Sequence, residues 1–393
     1  MAVLPERRWH RMEKKRILYI VEAMGGGVFT YIVELANELS KAYEVYIAYA
    51  VRKQTPNDYD TYFNENVHLI KVENFKREIN PTKDIKAFRE IRKIARDVQP
   101  DIIHLHSSKA GALGRWAFDG KKIPLFYTPH GYSFLMLNHN AVKRTLYRIV
   151  ETVCAKRRCT TISCSEGEHQ ETLKLTKRAC FVNNGINAAE LEQMIHRLEV
   201  KRDSALTVFT LGRICYQKNP ALFNKIAKQM PDVKFIWIGD GELRGELTAP
   251  NIEITGWIRR EDALKYSMKA DVFVLTSLWE GLPMSLLEAM CMKKLCVVSD
   301  VIGNRDAIQN GRNGYVCTTT DEFVEAIRKV ENRNEVERCT DCAYTDIKER
   351  LNIWMMAKQY DAIYEKTLMR EMEVECSREE IESKEPCFGK QES

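Results

Sequence analysis

No run of 18 or more apolar residues occurs in this chain, so no helix able to cross a bilayer is expected. The N-terminus, MAVLPERRWHRMEKKR, is charged and leads into a short strand-like stretch, not into the apolar core and small-residue cleavage site of a secretory leader. Both absences point to the cytoplasm. Cysteine is too sparse for a disulfide scaffold. Twelve are spread over 393 residues, several inside apolar runs such as Cys164 in ISC and Cys296 in LCVV, as reduced, buried thiols would be. The close neighbours, Cys154 with Cys159 and Cys339 with Cys342, give a single CxxC with no second pair and no histidine at ligand spacing, so no metal site is expected. A dinucleotide fingerprint is also missing. Gly25-Gly26-Gly27 is not GxGxxG, and the second strand ends in Val51-Arg52-Lys53, without the acid that holds a ribose.

What is present suits a globular chain of two domains: 45% hydrophobic and 29% charged residues over a length beyond one ordinary core. Charge divides between the halves. Residues 1–190 carry 31 Lys and Arg against 21 Asp and Glu, leaving 29 against 34 in the remainder. The stretch from Ala141 to Cys159 places Val142, Leu146, Ile149, Val150 and Val153 at helical spacing beside Lys143, Arg144, Arg148, Lys156 and Arg157. Such a helix suits an anionic membrane surface, or it packs its apolar side on its own sheet and turns a basic side outward.

Short apolar strands alternate with helical segments throughout, the pattern of parallel βαβ units. ILYIVE, VYIAYA, VHLIKV, DIIHLH, LFYTPH, TTISCS and CFVNN mark one doubly wound domain over 15–187, after an extension at 1–14. A polar linker at 188–200 precedes LTVFTLG, VKFIWIG, IEITGW, DVFVLT, LCVVSD and GYVC, which mark a second domain over 201–345. A helix at 346–368 is expected to pack back on the first domain, and the acidic tail at 369–393 to be disordered. Two such α/β domains face each other across a cleft at the C-terminal ends of both sheets.

The segment WEGLPMSLLEAM sets Glu280 and Glu288 eight positions apart across a Gly-Leu-Pro turn that opens a helix. Pro283 is tolerated in the first turn. The unpaired N–H groups there, with a dipole worth roughly 0.3 to 1 kcal/mol, favour an anion such as a diphosphate. Glu288 would then accept from sugar hydroxyls and Glu280 would lie beside a reacting sugar; the plain alternative is a solvated acidic pair. Arg213 and Lys218, after the second domain's first strand, suit the same diphosphate. The bare backbone of Gly26 and Gly27 allows close approach of a phosphate or substrate. His130 ends a strand before Gly131, at the cleft. His104 and His106 are read as facing opposite sides of their strand, and so not as a metal pair. Asp58-Tyr59-Asp60 is a lone DxD in a polar loop.

Together GGGVFTYIVELA, HLHSSKAGALGR, YTPHGYSF, NNGIN, GRICYQKN, IGDGELR and EGLPMSLLEAM resemble glycosyltransferase family 4, the retaining transferases of GT-B fold, and among them the bacterial capsule, exopolysaccharide and O-antigen (lipopolysaccharide) enzymes. The resemblance implies two Rossmann-like parallel-sheet domains across a cleft. It implies that Arg213 and Lys218 bind the diphosphate of a nucleotide-sugar donor, that Glu288 holds the ribose, and that Glu280 with the backbone of Gly281 and Leu282 contacts the transferred sugar. His130 would stand beside its anomeric end, and Gly26 and Gly27 near the phosphates and acceptor. Asp306 lies where the family often has Glu. The function implied is hexosyl or N-acetylhexosaminyl transfer to a polyprenyl-diphosphate-linked saccharide, without metal or other cofactor, by a cytoplasmic protein peripheral on the inner face of the cytoplasmic membrane. Nucleic acid is not expected as a partner. The rival functions are a sugar-nucleotide epimerase of the same architecture and a silent regulatory partner of another transferase.

Overall fold

A computed structural model describes residues 14–52, 55–76, 78, 80–200 and 205–382, with backbone alone at 23 and 371–382. The extension before residue 14, Lys53 and the segment after 382 lie outside them. The first sheet comprises β1 (Arg16–Met24), β2 (Glu44–Val51), β3 (Val67–Lys71), β4 (Ile102–His106), β5 (Leu125–Thr128), β6 (Thr160–Ser163) and β7 (Ala179–Phe181). Its helices are α1 (Gly26–Leu39), α2 (Pro81–Val98), α3 (Ser108–Ala117), α4 (Ala141–Ala155) and α5 (Glu166–Leu173), and α6 (Ala188–His196) leads into the second domain. There β8 (Thr207–Leu211), β9 (Lys234–Ile238), β10 (Ile252–Ile254), β11 (Val272–Leu275), β12 (Leu295–Ser299) and β13 (Tyr315–Cys317) alternate with α7 (Pro220–Gln229), α8 (Arg260–Lys269), α9 (Met284–Cys291), α10 (Ile302–Ala307) and α11 (Thr320–Arg328). Two helices, α12 (Arg333–Glu349) and α13 (Ile353–Glu382), close the chain.

All strand pairs are parallel, in the orders β3-β2-β1-β4-β5-β6-β7 and β10-β9-β8-β11-β12-β13. Parallel sheets need cover on both faces, which is why the strands are nearly continuous apolar runs. In β1, Tyr19 and Val21 face a core built with Ile32, Leu35 and Ala36 of α1, whereas Leu18 and Ile20 face Ala87 and Ile91 of α2. The second sheet repeats this, with Phe209 toward α9 and Val208 toward Phe223 and Ile226 of α7.

The chain crosses between domains twice, side by side. Ile186 N–H donates to Leu351 O at 3.1 Å and Ile353 N–H to Ile186 O at 2.9 Å. Gly185 is required there because a Cβ would overlap the Asn352 carbonyl. After this return α13 completes the first domain's core: Tyr360 Oη meets Tyr31 Oη at 2.5 Å and Tyr364 Oη meets His104 Nδ1 at 2.6 Å. The helix continues to Glu382, so residues 369–382 are helical where the sequence led us to expect disorder. Met, Glu and Arg with no Gly or Pro are sufficient for helix without an apolar period.

Two further expectations change. The apolar stripe of α4 does not face its own sheet: Val142 is 79% exposed, Leu146 and Ile149 each 54%. The inward face carries Glu151 and Cys154. Glu151 is tolerated inside because the buried Arg115 guanidinium of α3 bonds it at 2.6 Å and Tyr127 Oη donates to it at 2.9 Å. His104 and His106 share one face of β4, as residues two apart on a strand must, with rings stacked 4.2 Å apart.

Where α1 meets the second domain, Glu34 stands in the field of Glu190 (α6), Glu288 (α9) and Arg260 (α8). Burial first, then Glu190, pushes its pKa from 4.5 up to about 7, against the opposing pull of Arg260 and a hydrogen bond from the Asn187 backbone. A carboxyl raised on folding holds its proton more tightly in the folded state, so its effect is to lower stability as pH rises through the interval from 4.5 to about 7. Glu34→Gln is therefore expected to raise the melting temperature at about pH 8 and to leave it near wild type at about pH 5. An equal shift at both values in thermal melts would refute this account.

Candidate active site

The C-terminal ends of both sheets face one cleft, lined by the loops that leave the strands there and by the helices that follow them. After β1, Gly26 takes a left-handed φ of +57°, and a Cβ at Gly26 or Gly27 would meet nothing within 4 Å, so the α1 N-terminus is open on that side. After β8, Arg213 and Lys218 are held apart by separate carboxylates. Arg213 Nη2 bonds Glu242 Oε1 at 2.8 Å, while its Nε is buried without a partner. Lys218 Nζ bonds Glu280 Oε1 at 2.7 Å, and Ser277 Oγ donates to the same oxygen at 2.6 Å. Gln217 Nε2 approaches the other oxygen at 3.3 Å. Each cation of the expected diphosphate pair thus carries one carboxylate partner of its own.

Pro283 occupies the N-cap of α9 with an extended φ of −75° and ψ of 123°, and no side chain caps that terminus. Pro283 thus stands one position before the helical turn in which the sequence placed it, and the first helical residue is Met284. Glu288, within α9, is nearly fully buried, and Arg260 Nη1 bonds its Oε1 at 2.9 Å. No sequence spacing announced Arg260, which approaches from α8. Asp306 of α10 reaches across the cleft: its Oδ2 accepts from Gly167 N–H, at the start of α5, at 3.1 Å.

The first domain contributes His130, a non-glycine residue at φ +55°, followed by Gly131 at φ +89°. Both imidazole nitrogens are engaged, Nδ1 by Cys164 Sγ at 3.4 Å and Nε2 by His106 Nδ1 at 3.1 Å. Tyr31 packs edge-on against the ring, with centroids 4.5 Å apart. Burial drives the pKa of His130 down to about 3, so the ring is neutral and poorly suited to carry a proton. The turn touches the second domain directly: a Cβ on Gly281 would stand 3.4 Å from Gly131 N. Leu282 O accepts from Asn184 Nδ2 at 2.6 Å, which ties the same loop to the domain crossing.

Asp58 and Asp60 are exposed in a short turn after β2, and among the described residues no three His, Cys, Asp or Glu side chains converge as a ligand set. His104 is fully used by Tyr364 and by Thr128 Oγ1 at 2.9 Å.

Comparison with known proteins agrees with this geometry. Residues 25–190 match the family model "Glycosyltransferase Family 4" and residues 205–332 match "Glycosyl transferases group 1". The chain is 32% identical over 301 residues to the Escherichia coli UDP-Gal:alpha-D-GlcNAc-diphosphoundecaprenol alpha-1,3-galactosyltransferase, an alignment covering 68% of this chain and 76% of that one. It is 25% identical over 364 residues, 85% of this chain and 96% of the other, to a Campylobacter jejuni alpha-1,4-N-acetyl-D-galactosaminyltransferase named for a GalNAc-alpha-(1->4)-GalNAc-alpha-(1->3)-diNAcBac-PP-undecaprenol substrate. The sucrose-phosphate synthase of Thermosynechococcus elongatus superposes with a TM-score of 0.77 at 17% identity, over 91% of this chain and all of that one, which shows the shared two-domain GT-B fold. With both domain models matched in sequence and the cleft between two parallel sheets in place, this chain belongs to glycosyltransferase family 4 and is a glycosyltransferase.

Proposed function

We propose that the protein is a retaining hexosyl or N-acetylhexosaminyl transferase that uses a nucleoside-diphosphate sugar and extends a polyprenyl-diphosphate-linked saccharide in cell-surface polysaccharide synthesis. The observation that carries the reading is the Lys218–Glu280 pair beside the N-terminus of α9, which no side chain caps. The lysine exchanges its carboxylate for the donor diphosphate, and the released Glu280 turns to the sugar hydroxyls. Arg213 makes the matching exchange from Glu242. Glu288, oriented by Arg260, accepts from the ribose, and Gly281 and Leu282 border the sugar. The printed names of the two relatives, both acting on undecaprenol-linked saccharides, support the acceptor class.

In the reaction the acceptor hydroxyl attacks the anomeric carbon on the face from which the diphosphate departs. The anomeric C–O bond breaks, and the leaving phosphate oxygen takes the acceptor's proton. A neutral His130 beside the anomeric end fits a route in which no side chain shuttles that proton. Arg213, Lys218 and the helix terminus stabilise the developing charge; loss of one such donor costs about a hundred- to thousandfold in rate. Arg213→Ala and Lys218→Ala are each expected to lower kcat by about that factor with the fold intact, the pair combining to less than the product because both act on one charge. Near-normal turnover of the double variant at saturating donor would remove this assignment. Donor incubated without acceptor separates the epimerase reading, which requires epimerised or released sugar under those conditions.

The same clamp needs no metal. Turnover is expected to be nearly unchanged by EDTA; a requirement for manganese or magnesium would move attention to Asp58 and Asp60 and count against the mechanism.

We further propose that α4 seats the protein on an anionic bilayer. No helix of the described residues is long and apolar enough to cross a membrane. The exposed aliphatic stripe of α4 instead ends beside a cavity of about 390 Å³ lined by Lys121, Lys156, Arg157, Arg158 and Arg178 with a single acid, Asp119. Exposed Trp116 lies under the Arg157 guanidinium, 5.0 Å from its ring centre. Each Lys or Arg near an anionic surface contributes about 1 kcal/mol. Neutralising Lys143, Arg144, Lys156 and Arg157 should release the protein from vesicles containing phosphatidylglycerol while sparing transfer to a short soluble acceptor. Equal sedimentation of the wild type with anionic and neutral vesicles at low salt would end this proposal.

A further inference from the structure

Ser165-Glu166-Gly167-Glu168 has the spacing of a capping box, in which the glutamate returns to the N–H of the N-cap residue. Ser165 does cap α5, its Oγ accepting from Glu168 N–H at 3.3 Å. The Glu168 carboxylate goes elsewhere. Its Oε2 accepts from Cys164 N–H at 2.8 Å, at the end of β6, and its Oε1 from Gly131 N–H at 2.6 Å, in the turn after β5. Burial raises the Glu168 pKa, and the Cys164 and Gly131 N–H groups, with the Cys164 side chain, act against that rise. Glu168 is 1% exposed and has no basic partner, so its position must answer a demand outside α5.

The demand lies at His130. His106 Nε2, buried without a partner, is best left as a lone pair, which costs less than an orphaned N–H. The His106 proton therefore sits on Nδ1, facing His130 Nε2, and His130 Nδ1–H donates to the Cys164 sulfur 3.4 Å away. That fixes the imidazole tautomer: Nδ1 protonated and Nε2 accepting from His106 Nδ1–H at 3.1 Å. The same Glu168 carboxylate holds Gly131 N–H and so stabilises the left-handed backbone of both turn residues, a conformation unfavourable for a non-glycine residue such as His130. Oε1 also lies 3.9 Å from where a Gly281 Cβ would be, directly behind the contact between the two domains' loops.

We propose that Glu168 is a positioning residue for transfer: through Gly131 N–H and the Cys164 thiol it sets the backbone turn, the ring orientation and the tautomer of His130. The inference rests on the placement of His130 in the reacting site. Glu168 itself touches no substrate. Glutamine keeps one acceptor but turns an NH2 toward one of the two N–H donors. Cys164→Ala cuts the link to the imidazole and spares the backbone clamp, and Cys164→Ser restores both a donor to Glu168 and an acceptor for Nδ1–H.

The test uses the full chain labelled with 15N-histidine, whose long-range imidazole correlations report each ring's tautomer without any substrate. Wild type and Cys164→Ser are expected to show His130 fixed with Nδ1 protonated. Glu168→Gln and Cys164→Ala are expected to show it averaged between tautomers, with His104 unchanged and each variant melting cooperatively. With whichever UDP-hexose supports transfer, kcat should fall about ten- to hundredfold in Glu168→Gln, the range for one lost hydrogen bond to a charged group, while the donor KM stays within about twofold. An unchanged His130 tautomer and unchanged kcat in Glu168→Gln would overturn the inference alone. Full activity of His130→Ala would instead overturn the placement of His130 on which it rests.

Discussion

Everything about the cleft depends on the two chain crossings that lie against each other at Ile186 and Leu351–Ile353. Two backbone hydrogen bonds and a glycine without a Cβ bring the segments to van der Waals contact, so the domains are joined by a narrow double strut. Away from the strut, the domains also meet where the His130–Gly131 turn lies against Gly281 and where Gly167 N–H donates to Asp306. Asn184, two residues before Ile186, donates to Leu282 O and ties the crossing to the loop that leads into α9.

Three ion pairs set the electrostatics of the site. Glu242 holds Arg213, Glu280 holds Lys218, and Arg260 holds Glu288. In the second and third pairs the carboxylate is buried, and its cation neutralises a charge that would otherwise be stranded there; the first pair is largely exposed. On the reading proposed above, the donor diphosphate takes over the two cations, and the negative charge it adds falls where Arg213 and Lys218 already stand. Electrostatic preorganisation of this type needs the cations near their final places before the diphosphate arrives.

Much of this was legible in the sequence, for identifiable reasons. The strands are continuous apolar runs ended by polar or glycine residues, and a parallel sheet covered on both faces has no other pattern available. The turn at Gly281-Leu282-Pro283 was legible because proline and an unpaired helix terminus have local rules. What was hidden depends on partners far apart in sequence. Nothing around Arg260 indicates that it meets Glu288, and nothing in Ser-x-x-Glu indicates that Glu168 leaves its own helix for Gly131. The stripe on α4 was visible as a period, but a period does not say which side faces in; the Arg115–Glu151 pair decided that by making a charged face the buried one. For His104 and His106 the information was present and the strand arithmetic settles it: residues two apart lie on the same side.

The return of α13 has a consequence for how the molecule is made. The helix that supplies Tyr360 and Tyr364 to the first domain is encoded after the whole of the second. A nascent chain that has emerged only as far as α6 lacks the cover for Tyr31, Tyr43 and the α1 side of the first sheet, so synthesis in order from the N-terminus does not deliver a finished first domain. The second domain is the one that can close on itself as it emerges, and the first is sealed last, from behind. A fragment cut at the domain boundary would carry an uncovered tyrosine-rich surface, and the two halves of this transferase are better regarded as one folding unit than as separable modules.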